Sequence, residues 1–494
     1  MNKMFIKIPY SASAPHKKLN VFSASDKLVL SLDIRWAFED PEAIYTYPLP
    51  ENTDKIFLDD KEFAPEITNN SEIEIKKEGY PRTKLTVEPP YGWNNDPNGL
   101  FFYKNKWHIF YQHNPVGAVW GNMHWRHSVS EDLVNWEDKG IALCPDDMGT
   151  MFSGSAIVDY ENSSGLGTEE NPAILLFYTA AGNTNEPSKG KYFTQCIAYS
   201  TDGGETFVKF AKNPVIGPIE RSTRDPKVVR DGKGGYLLGL YEDGPDGMYM
   251  LFSSKNLINW ELSQRFKLGP DSECPDIYPL SSMGETKWIY SGASDYYFIG
   301  NIENGKYIFD PSEVRRLGRD VCGYAAQTWS DAPDNRRVKI WWNRWEGIAE
   351  KGVRRCTMSA PCDISLINFK GKEKLSAKIV PEIYKAFNTV RTETFKSGDL
   401  LTEGSTMLLE IEPESSFELC VNGAKISAEN NRIVVCGKEY TTESALGKVT
   451  VFRDGLNLQI HAEENTFVVI AAHEPSANET RLVSGNAKIS VFTL

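Results

Sequence analysis

Long apolar runs are missing from this chain. No stretch of its 494 residues approaches the roughly 20 consecutive apolar residues that a spanning helix needs. Basic runs are missing too, and the formal net charge is −13. A nucleic-acid partner needs positive surface to displace counterions from phosphates, so neither a membrane nor a nucleic acid is expected. The eight cysteines include no CxxC pair, which argues against zinc ribbons and thioredoxin-type chemistry. Scattered through so large a chain, they read as free buried thiols in a reducing compartment. The N-terminus, Met1-Asn-Lys-Met-Phe-Ile-Lys-Ile-Pro, has no sustained apolar segment and no evident cleavage site. The expectation is a cytoplasmic protein, or a secreted one if a signal peptide had been trimmed away. Helical periodicity is scarce.

Aromatic residues and strand signals are plentiful. There are 12 Trp, 22 Tyr and 24 Phe, side chains whose flat faces suit strands, binding surfaces and sugar rings. Short runs rich in β-branched and aromatic residues, such as AILLFYTAAG, MYMLFSS and RVKIWWNRW, recur between Gly, Pro, Asn and Asp clusters. The reading is all-β: a propeller, sandwich or barrel. A repeat favours the first. SVSEDLVNWE (128–137), AYSTDGGETFVKF (198–210) and LFSSKNLINWEL (251–262) each pair a strand ending in Ser with a polar turn and an aromatic opening the next strand. Their spacing is near that of one four-stranded blade, and about five blades fit the region. Residues 1–75 form a separate acidic β module ending in the polar stretch PEITNNSEIEIKKEG, read as a linker. The central region is drawn at 76–365. From 366 to 494 plain alternation with Asn-Gly and Asp-Gly turns predicts a β-sandwich.

Three acidic motifs stand out in the central region. Asp96, between Asn95 and Pro97-Asn98-Gly99, sits at a turn among amide donors. Asp225 follows Arg224, whose guanidinium should hold it ionised. Glu273 stands beside Cys274 and Pro275, a less polar setting that would raise a carboxyl pKa toward general-acid duty. Taken singly, each has a structural reading as a turn acid or an ion pair. Histidines 108, 113, 124 and 127 cluster, but i, i+3 spacing on a strand sends His124 and His127 to opposite faces, and no metal is expected.

Together the motifs resemble glycoside hydrolase family 32, the invertase, levanase and inulinase family. The resemblance rests on WNNDPNGL (93–100), FYQHNP (110–115), WGNMHW (120–125), SEDLVNW (130–136), MFSGSA (151–156), RDPKV (224–228), ECPD (273–276) and YAAQTW (324–329), in that order. Their wording looks most like levanases and exo-inulinases. The resemblance implies a five-bladed β-propeller with a funnel-shaped site, followed by a β-sandwich. Residues 1–75 resemble an ancillary β module found ahead of some levanase-like members.

The resemblance also implies roles. Asp96 matches the nucleophile, Asp225 the transition-state stabiliser and Glu273 the acid/base, with Asn95, Gln112, Trp120, Phe152, Ser153, Arg224 and Trp342 lining the sugar pocket. The chemistry accords with two carboxylates about 5 to 5.5 Å apart, one attacking the anomeric carbon and the other protonating the leaving oxygen. Ser272 stands where the family often has Trp, and Arg126 where it commonly has Gly; both are expected beside the leaving group. The implied activity is a retaining exo-β-fructosidase acting on sucrose, fructo-oligosaccharides, inulin or levan, without cofactor or metal. The alternatives are a fructosyltransferase of the same family and a non-catalytic fructan-binding propeller.

Overall fold

Five antiparallel sheets follow one another through the middle of the chain, each built around four strands in sequence order. The computed structural model describes residues 3–219, 222–244, 247–282, 284–319, 322–445 and 447–494. The first strands of the five blades are Gly92–Tyr103, Thr150–Asp159, Arg224–Arg230, Asp276–Ser282 and Gly323–Thr328. Fourth strands such as Glu261–Phe266 are largely exposed. The first strands meet around the propeller axis. Side chains lock them together there: Ser155 Oγ donates to Pro226 O (2.8 Å), Lys227 Nζ to Thr328 O (2.7 Å) and Gln327 Nε2 to Gly154 O (3.0 Å). Blade five closes onto blade one through Phe102 N–H to Ser330 O and Ser330 N–H to Leu100 O, both 2.9 Å.

The sequence repeat has a structural cause. In blades one to three it marks the crossing from third strand to fourth. Ser130, Ser200 and Ser254 each approach the side chain two residues on, which then accepts the N–H groups that turn the chain. Asp132 accepts Val134 and Asn135, Asp202 accepts Glu205 and Thr206, and Asn256 accepts Ile258 and Asn259. A carboxylate or amide oxygen in this place substitutes for a backbone acceptor.

One boundary and the linker reading need correction. Residue 366 lies inside strand Cys362–Phe369, which pairs with Lys372–Ile379 in the fifth blade. The sandwich strands begin at Thr389, after a short helix Pro381–Ala386, and form two six-stranded sheets. The stretch read as a linker is partly strand: Ile67–Thr68 and Glu74–Ile75 pair with the edges of the N-terminal sheet formed by Phe5–Tyr10 and Ala43–Pro48. Ile75 packs against the module's core, which is why so polar a segment stays on the sheet. A second sheet, of Leu28–Arg35, His16–Ser23, Thr53–Leu58 and Lys61–Glu62, completes the module. Its core includes Tyr91, Val116, Ala118 and Val353 of the propeller.

The cysteines are not uniformly buried as expected. Cys196, Cys322, Cys356 and Cys362 are interior, while Cys144 and Cys436 are exposed. Among the described residues no helix is long and apolar enough to cross a membrane.

Candidate active site

At one end of the propeller the first strands depart from regular pairing. Between Asn94 and Pro97 the first strand of blade one carries one residue more than its partner, displacing Asn95 and Asp96 from the ladder. The same happens at Ser153 in blade two, at Asp225-Pro226 in blade three and at Ala325-Ala326 in blade five. Each is a β-bulge, which re-aims a side chain that regular pairing would send elsewhere. In blade four the site residue, Glu273, precedes the strand. Asp225, Glu273 and Cys274 all hold positive φ, at 68°, 57° and 39°. Non-glycine residues adopt such values at a cost, and they cluster at functional sites.

The bulges converge on one pocket of about 580 Å³. All ten residues singled out from the sequence line it: Asn95, Asp96, Gln112, Trp120, Phe152, Ser153, Arg224, Asp225, Glu273 and Trp342. Three others join them, Met123, Cys274 and Tyr324. These three lie within or beside the quoted motifs, yet sequence carries no sign of what they face. Cys274 has the most telling position. Its Sγ lies 3.4 Å from Asp96 Oδ2 and 3.6 Å from Asp225 Oδ2, and its N–H donates to Asp225 Oδ2 (3.0 Å).

The three acids have unlike surroundings. Burial raises the pKa of Asp96, against the Ser153 hydroxyl that donates to its Oδ2 (2.6 Å), and Glu273 pushes the same way as burial. Burial also raises Asp225, to about 7, despite the opposing Arg224 charge; Glu273 and Asp96 add to the rise. The expectation that Arg224 simply keeps Asp225 ionised is thereby corrected. The guanidinium divides itself, with Nε 3.8 Å from Asp225 Oδ2, Nη2 2.8 Å from Glu273 Oε1 and Nη1 3.1 Å from Asp243 Oδ2. The setting of Glu273 is likewise more polar than its sequence neighbours suggested, since Arg224 donates to one oxygen and the Tyr324 hydroxyl to the other (2.6 Å).

Around the acids, Gln112 Nε2 donates to Ser153 Oγ (3.3 Å), and Gln112 Oε1 is buried without a protein partner. Asn95 Oδ1 accepts the Trp93 indole N–H (2.9 Å). Trp120 packs edge-on against Phe152 with ring centroids 6.1 Å apart, and Trp342 packs against Trp93 and Tyr324. Trp120 is 57% exposed, which removes it from the core. Such a hollow, lined by carboxylates, hydroxyl and amide groups and aromatic rings, suits a small polyhydroxylated ligand.

Two expected neighbours lie elsewhere. Arg126 is buried within blade one, where its Nε and Nη2 meet Asp138 at 2.7 and 2.6 Å and its guanidinium covers the Tyr91 ring. Ser272 donates its N–H to Asp271 and does not line the pocket. The clustered histidines serve packing. His124 Nε2 meets the Tyr47 hydroxyl (2.8 Å), and His108 Nδ1 meets His127 Nε2 (3.0 Å). Among the described residues no group of three or more His, Cys, Asp or Glu is arranged to hold a metal.

Comparison with known proteins places this geometry. The family profile described as glycosyl hydrolases family 32 N-terminal domain matches residues 87–378. A levanase of Bacillus subtilis is 37% identical over 444 residues, covering 83% of this chain and 63% of that protein. An invertase of Debaryomyces hansenii is 32% identical, covering 67% of this chain and 65% of that one. The chain thus spans just under two thirds of the length of either relative. The crystal structure of an exo-inulinase from Aspergillus awamori superposes with a TM-score of 0.73 at 22% identity, covering 84% of this chain and 98% of that one. A propeller with bulged inner strands, three acids in one pocket and a profile match over more than half its length all lead to one assignment: the chain belongs to glycosyl hydrolase family 32.

Proposed function

We propose that the pocket hydrolyses terminal non-reducing β-D-fructofuranosyl bonds of sucrose, fructo-oligosaccharides, inulin or levan, retaining configuration through a covalent fructosyl-enzyme. The observation that carries this reading is the meeting of Asp96, Asp225 and Glu273 around Cys274 from distant points in the chain. Levanase and invertase are the names of the two relatives compared above.

In the first half-reaction Asp96 attacks C2 of the fructosyl unit as Glu273 gives its proton to the departing oxygen. The C2–O bond breaks, and a bond from C2 to the Asp96 carboxylate forms. In the second half Glu273 takes a proton from water, the water oxygen attacks C2, and Asp96 leaves as a carboxylate. Asp225 accepts hydrogen bonds from ring hydroxyls while its charge favours the oxocarbenium-like state. Gln112 Oε1, lacking a protein donor, takes another hydroxyl. Arg224 and Tyr324 fix the orientation of Glu273, and Trp120, Phe152 and Trp342 exclude water.

The test is turnover of sucrose, inulin and levan with products resolved by chain length. Free fructose should appear from the first minutes. Accumulating trisaccharides at high sucrose would assign the pocket to fructosyl transfer instead. Asp96→Asn should lower kcat by about a thousandfold or more while leaving the pocket able to bind fructose. Parent-like turnover in that variant would remove Asp96 from its role.

A further inference from the structure

The N-terminal module lies ahead of the region matched by the family profile, yet it lines a cleft that adjoins the pocket. This cleft, of about 840 Å³, opens on the other side of Trp120 and Met123, which line both hollows.

Strand alternation builds one side of this cleft. In His16–Ser23 and Leu28–Arg35, Leu19, Val21, Leu30, Leu32 and Ile34 are buried in the module, so the intervening residues Lys18, Ser31 and Asp33 face outward. Lys18 and Asp33 are direct cross-strand partners. The propeller supplies the other side, including Asn185 and Glu186. Lys18 Nζ reaches across to Glu186 Oε1 (3.4 Å).

The module is also joined to the segment that carries Trp120. Asn122 Oδ1 accepts the Asp33 N–H (2.9 Å), and its Nδ2 donates to Asp33 O (2.7 Å), completing the edge of the module's sheet as a strand would. On the same segment Ala118 N–H donates to the Tyr10 hydroxyl (3.3 Å), and His124 is held by Tyr47. The orientation of Trp120 thus depends on residues outside the propeller.

Two properties describe the occupant. Trp120 is more than half exposed and edge-packed on Phe152, so a rigid aromatic face stands at the junction of the two hollows. The charges around it cancel, with Lys18 and Lys189 set against Asp33 and Glu186, so the cleft offers many hydrogen-bonding groups and no net charge. An ionic ligand gains nothing there; a neutral polyhydroxylated one does.

We infer that the N-terminal module forms an outer sugar subsite, which holds fructosyl units of an oligomer beyond those in the catalytic pocket. The inference rests on the fructosidase reading above. Sucrose is too short to use the outer cleft, and a longer chain crosses Trp120 into it.

The test compares kcat/KM for sucrose and for a linear fructo-oligosaccharide of five or more units, using the full chain and the variants Lys18→Ala and Ser31→Trp. The first removes a donor from the cleft, and the second fills it. Each should lower the oligomer-to-sucrose ratio by about fivefold, the worth of an exposed hydrogen bond or two, mainly through KM. The ratio is taken within one preparation, so a partly unfolded variant does not disturb it. A ratio within twofold of the parent's, or parallel losses on both substrates, overturns the inference. A parent chain that cleaves neither substrate fails the fructosidase reading, and the outer subsite with it.

Discussion

A carboxyl group in water loses its proton near pH 3.9, whereas Asp225 keeps its own to about 7. Burial does this against the pull of Arg224, with Glu273 and Asp96 adding to the rise. Because the pKa is higher in the folded state, the folded chain binds that proton more tightly than the unfolded one. Ionising Asp225 therefore costs stability progressively from about pH 4 to about 7, and the full cost stands above 7. Asp225→Asn removes the charge at constant size, and Arg224 keeps Glu273 and Asp243 as partners. The variant's thermal midpoint should exceed the parent's by a few degrees at pH 8, with the advantage gone near pH 4 and turnover lost. Equal midpoints at pH 8 would show that the acid is not held at a cost. Glu273→Gln tests a different kind of dependence. Substrates whose leaving group needs no proton should lose far less rate than sucrose does, and equal losses would count against the acid role. Sequence motifs located these acids, because Asn-Asp-Pro-Asn-Gly, Arg-Asp-Pro and Glu-Cys-Pro are local patterns. Their electrostatics were not legible. Arg224 adjoins Asp225 in sequence but lies closer to Glu273, 49 positions away, and the Tyr324 hydroxyl comes from 51 positions away.

The elements show why the acids point inward. Four of the five inner strands carry one extra residue at the site, so the regular alternation that fills the blade cores gives way where the pocket begins. Sequence alternation cannot announce such a slip, since a bulge changes register without changing composition. The turn repeat was legible for the opposite reason: Ser, an Asp or Asn two residues later, and an aromatic opening the fourth strand are all local requirements. The bulge in blade two depends on Gly154. A Cβ there would lie 1.9 Å from Phe177 O and 2.9 Å from Tyr178 Cα, both backbone atoms. Gly154→Ala must push the neighbouring strand aside, which costs on the order of 1–3 kcal/mol, and it moves Ser153 from its 2.6 Å contact with Asp96. The expected outcome is a lowered denaturation midpoint together with a fall in kcat on sucrose. A variant that keeps both would show the bulge to be dispensable.

Across the whole molecule, the pieces share interiors. Leu408, Phe452, Leu456, Val468 and Ile470 of the sandwich belong to the same apolar cluster as Trp341, Trp345 and Leu375 of blade five. Beside it runs a polar seam. The buried Asp454 carboxylate accepts the N–H groups of Lys84, Leu85 and Thr86 at 2.8, 2.9 and 3.0 Å, just ahead of the first propeller strand. Asn457 Nδ2 donates to Thr86 Oγ1 and Met358 O, both at 2.9 Å. Units joined only by a small polar interface move and melt separately, whereas a shared apolar core couples them. Composition marked the sandwich as separate, because alternation and turn residues report on single sheets and say nothing of what the outer face of a sheet meets. Propeller and sandwich should therefore unfold in one calorimetric transition. Asp454→Ala leaves three N–H groups without their acceptor, at about 1–3 kcal/mol for each buried group left unsatisfied. It should lower that single transition as a whole, with loss of sucrose turnover following the same curve. A sandwich that melts apart from an active propeller, or a transition unmoved by the substitution, would show that the seam does not couple them.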